Sequence, residues 1–218
     1  MTAGSSATGS SAAKRQNIVI IDTGCANISS VKFALERLHV AVTVSDDPAV
    51  INASDKAFLP GVGSAQNAIA SIANKGLIET IQGLTQPVLG VCLGMQLMTT
   101  MSQESGLHST HNVPCLDLIP GTVERMQVGD LRLPHMGWNT VNPVNPANNP
   151  LFKGIGNGTY FYFVHGYAVP VYEHTLAACE YGTAFSAAIH KDNFYGVQFH
   201  PERSGDAGAH LLENFVNL

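Results

Sequence analysis

The sequence has no run of apolar residues approaching the ~18 that a membrane-crossing helix requires, so nothing in it asks for a bilayer. Charge is scarce: Asp, Glu, Lys and Arg make up 12% of 218 residues, and the net charge of −5 supplies no positive field for nucleic acid. Cysteine is sparse as well. Cys25, Cys92, Cys115 and Cys179 are scattered, with no Cys-x-x-Cys spacing, and free thiols in a reducing cytoplasm are expected. His108 and His111 have metal-like spacing but lie in a polar stretch with no other obvious ligand; they read as solvated, and no metal is expected. Residues 1–16 lack the apolar core of a secretory signal. Rich in Ser, Ala, Gly and Thr, they cannot bury enough surface to offset their ordering entropy, so a disordered extension is expected there.

What is present reads as one domain over 17–218, with an apolar fraction of 45% and length enough for a sizeable core. Asn17–Asp22 is a continuous apolar run ending in an acid, the signature of a strand buried on both faces. A turn over 23–27 leads to Ile28, Val31, Leu35 and Leu38 at helical spacing, predicting a helix over 28–38. Strands are expected at 40–44, 57–59 and 87–91, and helices over 64–74, shortly before Thr85, and from Met95 to Met101. This alternation predicts a doubly wound α/β fold with a mixed, mostly parallel sheet and flanking helices. The second half is richer in β signals, at 121–126, 159–164, 175–179, 184–190 and 194–199, so an additional antiparallel region is expected. Asn142–Pro150, with three prolines and four asparagines, reads as a surface loop. A closing helix over 207–216 presents Gly208, Leu211, Leu212 and Phe215 on its inner face.

Gly90-Val91-Cys92-Leu93-Gly94 places a cysteine where a buried strand meets a helix. A sharp strand-to-helix turn exposes its central residue in a strained conformation, and glycines on either side remove Cβ atoms that would collide. Free N–H groups at the start of the helix favour thiolate, and the Leu93 N–H can face an oxyanion. The alternative is a glycine-flanked core cysteine. A nucleophile also needs a base, and His200-Pro201-Glu202 ends an apolar, aromatic strand. In extended chain, residues i and i+2 project to one side, so Glu202 can orient His200 and His200 can serve Cys92. Leu59-Pro60-Gly61-Val62-Gly63 follows another strand; its glycines free the backbone to aim the Val62 N–H at the same site. Without a lysine or a third glycine that loop is weak evidence for a nucleotide, and no cofactor is expected.

Taken together these residues resemble the class I, triad-type glutamine amidotransferases. Ile20–Val31, Leu59–Gly63, Gly94–Leu97, Pro134–Asn139, Phe161–Tyr167 and Gly196–Ser204 are similar, in the same order, to the glutaminase subunit of imidazole glycerol phosphate synthase. Pro134-His135-Met136-Gly137-Trp138-Asn139 is the specific part, because other amidotransferases share the elbow but not that segment. The resemblance implies a Cys92, His200, Glu202 triad and a glutamine substrate contacted by Gln96. It implies backbone near Gly61, Gly166 and Tyr167 holding the α-carboxylate and amino group, and a (β/α)8 cyclase subunit docked as a heterodimer. Trp138, Asn139, Tyr162 and Arg203 would lie at that interface. Ammonia would pass to the cyclase, which makes imidazole glycerol phosphate in histidine biosynthesis. The chain departs from the family's pattern at Thr23 and Cys25-Ala26, at Gly166 in place of Ser or Thr, and at Arg203 in place of Lys, whose ammonium a planar fork does not imitate. Two other readings stay open: a glutaminase serving another acceptor synthase, and a catalytically silent regulatory module of the same fold.

Overall fold

The computed structural model describes residues 16–24, 28–105 and 111–218. All of the expected N-terminal extension except Gln16 lies outside the described residues, as do Cys25 and His108. The first half runs β1 (Asn17–Ile21), α1 (Ile28–Glu36), β2 (Ala41–Ser45), α2 (Pro48–Asn52), β3 (Lys56–Leu59), α3 (Ala65–Asn74), α4 (Ile78–Gln82), β4 (Val88–Val91) and α5 (Leu93–Leu97). The second half adds β5 (Met101–Ser102), β6 (Val113–Pro114), β7 (Thr122–Arg125), β8 (His135–Pro143), β9 (Thr159–His165), β10 (Tyr167–Ala168), β11 (Thr175–Tyr181), β12 (Thr183–Lys191), β13 (Phe194–Val197) and α6 (Gly205–Val216).

A nine-stranded sheet in the order β2-β1-β3-β4-β13-β12-β11-β8-β9 organises the chain. Its first five strands are parallel and the remainder continue antiparallel, so the antiparallel region extends the same sheet. A small second sheet, β10-β7-β5-β6, lies apart.

The parallel half is covered on both faces, which explains its unbroken apolar strands. Ile18 and Ile20 of β1 join Phe58, Leu89, Leu35, Leu211 and Phe215 in one core, whereas Val19 and Ile21 join Leu59, Val88, Ala68, Ile72 and Ile81 in the other. Period-2 alternation therefore assigns successive side chains to α1 and α6 on one side and to α3, α4 and α5 on the other. Strands β3, β4 and β13 are neighbours and parallel, so their carboxyl ends, at Leu59, Val91 and Val197, open onto one edge.

Some expectations need correction. The helix expected from Met95 to Met101 stops at Leu97. The Thr99 hydroxyl donates to the Gln96 carbonyl at 2.8 Å, and Met101 pairs with Thr122 in the small sheet, so local side-chain bonding and strand pairing end the helix. Helix α2 was not anticipated, although Asp47-Pro48 is an N-cap and N1 pair and the Asp47 carboxylate accepts from the Ala49 N–H at 2.8 Å. Strand β8 was also missed. Its sequence is polar and interrupted by Gly137; pairing with β9 from His135↔His165 to Val141↔Thr159 makes it a strand. It takes Asn142 and Pro143 from the expected loop, and two short 3-10 turns at Pro146–Asn148 and Pro150–Phe152 follow.

Phe58 and Phe215 are fully buried and meet edge to face at 5.0 Å, locking α6 to the sheet beneath β3. Phe215→Ala should cost about 3–5 kcal/mol of unfolding free energy, read by denaturant titration. A loss below about 1 kcal/mol would contradict this packing account.

Candidate active site at the strand carboxyl ends

Cys92 follows β4 directly and has φ 54° and ψ −112°, a conformation that side-chain-bearing residues rarely adopt. Strain of that kind costs on the order of 1–3 kcal/mol and persists only where its surroundings enforce it. Here the Cys92 N–H donates to the Val197 carbonyl at 2.8 Å, its carbonyl accepts from the Gln96 N–H at 3.2 Å, and Leu93, Met95 and Leu97 are buried behind it. The flanking glycines have the role expected of them. A Cβ at Gly90 would come within 2.8 Å of the Gly94 carbonyl carbon, one at Gly94 would meet the Leu59 carbonyl, and one at Gly61 would lie 2.8 Å from the Gly94 nitrogen. The Pro60–Gly63 loop therefore rests directly on the elbow. Helix α5 has only five residues, so it offers Cys92 the unpaired N–H groups of a first turn rather than a long aligned dipole.

His200 and Glu202 converge, but not along an extended strand. Strand β13 ends at Val197, and Pro201–Arg203 form one 3-10 turn that folds the Glu202 carboxylate back onto His200, with Nδ1 to Oε1 at 2.9 Å. The His200 N–H donates to the Tyr162 carbonyl at 2.9 Å, tying the turn to β9. Burial alone would lower the His200 pKa. Hydrogen bonds to Cys92 and Glu202, and the negative charge of both, outweigh burial and push it up to about 10. The imidazole is thus held in its protonated form. A folded pKa raised above the unfolded value of 6.5 contributes stability that is complete below about pH 6.5 and is lost as pH rises through 10.

Cys92, Leu93, Gly61, Val62, Gly63, Gln96, His165, Gly166, Tyr167, His200, Glu202 and Arg203 line one cavity of about 290 Å³, at the small end of ligand sites. Every expected catalytic, oxyanion and substrate residue is brought to it. Gln96 is buried, and its Nε2 donates to the Tyr167 carbonyl and to Gln198 Oε1, both at 2.9 Å, which leaves its Oε1 to accept from a ligand. A Cβ at Gly166 would meet nothing within 4 Å, so glycine there is no steric necessity.

Of the expected interface residues, Trp138 and Tyr162 are cross-strand partners with ring centroids 6.0 Å apart; Trp138 is 55% exposed, and Arg203 is exposed at the cavity mouth. Asn139 departs from them. Its side chain turns inward, Nδ2 lying 3.3 Å from His135 Nε2 and donating to the Glu180 carbonyl at 2.9 Å. Among the described residues no group of three His, Cys, Asp or Glu could hold a metal, and no helix is long and apolar enough to cross a membrane.

Val164, His165, Glu104 and Gln198 at the site escaped the sequence reading, the last two with polar side chains beside the nucleophile's cavity. Glu104 lines the cavity in a polar stretch indistinguishable from a solvated loop; burial raises its pKa, while a hydrogen bond from the Ala65 backbone lowers it in part. Gln198 is fully buried; its Nε2 points to Cys92 Sγ at 3.8 Å and its Oε1 anchors Gln96. A polar residue inside the apolar run Val197-Gln198-Phe199, two positions before His200, was the available signal.

These elements define a protein class, and the comparisons with known proteins agree. The family model for Glutamine amidotransferase class-I matches residues 19–218. The chain is 56% identical over 203 residues to imidazole glycerol phosphate synthase subunit HisH 1 of Vibrio vulnificus, covering 93% of this chain and 98% of that protein. It is 57% identical over 203 residues to the HisH subunit of Vibrio cholerae serotype O1, covering 93% and 99%. A crystal structure of a glutamine amidotransferase from Thermotoga maritima superposes with a TM-score of 0.62 at 16% identity, over 94% of this chain and 84% of that one, which shows the shared fold. The chain belongs to the class I glutamine amidotransferases and, within them, to the family of imidazole glycerol phosphate synthase subunit HisH.

Two predictions follow from the geometry of His200 and Gln198. In an NMR titration the His200 ring should remain protonated well above pH 6.5, and Glu202→Gln should lower its midpoint; a midpoint unchanged by that substitution would disconnect the carboxylate from the imidazole. Gln198→Met removes a donor to sulfur and should cost roughly 1.5–3 kcal/mol in kcat/KM for amide hydrolysis, about 10- to 150-fold. Wild-type kinetics in that variant would reduce Gln198 to a packing residue.

Proposed function

We propose that this chain hydrolyses glutamine to glutamate and ammonia and delivers the ammonia to a (β/α)8 cyclase subunit, with which it forms a heterodimer making imidazole glycerol phosphate in histidine biosynthesis. The observation that carries the reading is the convergence of Cys92, His200 and Glu202 in one small cavity at the carboxyl ends of β4 and β13. Cytoplasmic location is part of the same reading.

The cycle starts with the Cys92 sulfur attacking the side-chain amide carbon of glutamine. The carbonyl electrons move to oxygen, and the N–H groups of Val62 and Leu93 face the oxyanion. Gly63, at φ 96°, gives the loop the freedom to present Val62 in this way. Collapse breaks the C–N bond, His200 gives its proton to the departing nitrogen, and ammonia leaves behind a γ-glutamyl thioester. His200 then takes a proton from water as the water attacks that thioester; glutamate departs and the sulfur is regenerated. Backbone of Gly61, Gly166 and Tyr167 holds the amino-acid end of the substrate, and the Glu104 carboxylate pairs with its α-ammonium. Arg203 at the cavity mouth, with Trp138 and Tyr162 beside it, faces the partner; Asn139 supports that surface from within.

The test separates the two half-reactions. In the complex with the cyclase, Cys92→Ala should lower glutamine-dependent synthesis by on the order of 10³-fold or more while leaving synthesis from added ammonium intact. Retained glutamine hydrolysis would falsify the nucleophile assignment. Loss of both activities would show that the chain does more for its partner than supply ammonia.

A further inference from the structure

Two buried histidines outside the triad have a hydrogen-bonding pattern with only one consistent direction. His135 and His165 are cross-strand partners on β8 and β9, exposed 3% and 5%. His165 Nδ1 lies 2.9 Å from the Tyr167 carbonyl, His165 Nε2 lies 3.1 Å from His135 Nδ1, and His135 Nε2 lies 3.3 Å from Asn139 Nδ2.

A carbonyl can only accept, so His165 must carry its proton on Nδ1. In a neutral ring Nε2 is then an acceptor, so His135 must donate from its own Nδ1. His135 Nε2 is left to accept, and the Asn139 amide donates to it. The second Asn139 hydrogen goes to the Glu180 carbonyl at 2.9 Å, and its oxygen accepts from the Thr140 N–H at 2.8 Å, so the carboxamide cannot be flipped without losing partners. Burial holds His135 down at about 4 and His165 at about 3, and the neutral rings suit the pattern. Tyr181 and Phe163 stack on His135 at 4.0 and 5.0 Å, fixing its plane.

The far end of this chain is the cavity wall. The Tyr167 carbonyl that accepts from His165 also accepts from Gln96 Nε2, and Gln96 in turn is bonded to Gln198 beside Cys92. We propose that His135 and His165 are positioning residues, whose rings form a one-way hydrogen-bond chain from Asn139 to the Tyr167 carbonyl and thereby hold the 164–167 segment and Gln96 in place around the substrate. The inference rests on the glutaminase reading of this cavity.

Two measurements test it. In the full chain with 15N-labelled histidine, both rings should be Nδ1–H tautomers at neutral pH, opposite to the Nε2–H form that free imidazole side chains favour; His135→Phe identifies the two signals. An Nε2–H proton on either ring would overturn the chain whatever the enzyme's substrate. In the complex with the cyclase, His135→Phe keeps an aromatic ring but deletes both hydrogen bonds, leaving His165 Nε2 buried and unpaired. It should raise KM for glutamine about tenfold, with kcat within about threefold and ammonia-dependent synthesis unchanged. His135→Asn, which places an amide N–H near the former Nδ1, should recover most of that loss. An unchanged KM in His135→Phe, or equal loss in both variants, would overturn the positioning role; a wild-type complex with no glutamine hydrolysis would instead overturn the functional reading and leave the tautomer result standing.

Discussion

Cys92 is held at φ 54° by close approach of backbone to backbone on every side. Gly90 lets the start of α5 pack against β4, Gly94 lets Leu59 at the end of β3 press on α5, and Gly61 closes the contact from the loop. These approaches are mutually dependent, since a side chain at any of the three positions would push apart segments the others bring together. The strain at Cys92 is offset by burial of Leu93, Met95 and Leu97, each worth about 1.5–3 kcal/mol, on the core beneath α3 and α4. The sheet core and the Cys92 elbow are therefore one unit: the close packing that stabilises β3, β4 and α5 also turns the sulfur toward the cavity, with the Pro60–Gly63 loop beside it.

Much of this could be read from residues in order, because the parallel half depends on local patterns. Ile18–Ile21 is buried on both faces and looks so in sequence, and α3 runs over Ala65–Asn74, nearly the span expected, with Ser64 as its cap. The elbow and the His200–Glu202 pair were visible for the same reason, since their chemistry depends on neighbours a few residues away. What stayed hidden depends on long-range pairing. Strand β8 has no apolar stripe of its own and becomes a strand against β9, so the His135–His165 pair could not be seen before that pairing was known. The Thr99 hydroxyl and the pairing of Met101 with Thr122 ended a helix that periodicity alone would have extended. Glu104 reached the cavity by a fold in the chain that leaves no local signature, and the route by which Glu202 meets His200 was a 3-10 turn rather than the extended chain expected.

The polar groups under the cavity floor show how an apolar domain accommodates them. Gln96, Gln198, His135 and His165 are all buried, and each is bonded to another or to a backbone carbonyl. A half-satisfied network would cost more than an apolar core, and a satisfied one becomes rigid. Rigidity is what amide hydrolysis needs here, because a cavity of about 290 Å³ leaves little room for a misplaced substrate.

Glu202 stands apart from that pattern. Its Oε1 is paired with His200, while Oε2 is buried with no hydrogen-bond partner among the described residues. Beyond that one hydrogen bond, its compensation rests on the positive charge of the imidazole beside it. This makes the triad self-resetting in the proposed cycle. When His200 gives its Nε2 proton to departing ammonia, Glu202 keeps the Nδ1–H hydrogen bond but loses the positive charge facing it, and recovery of a proton by His200 restores that charge. The next available proton is that of the water attacking the thioester, so the same imbalance that resists the first transfer drives the second. A carboxylate with both oxygens satisfied would orient the imidazole equally well but would exert less of this pull.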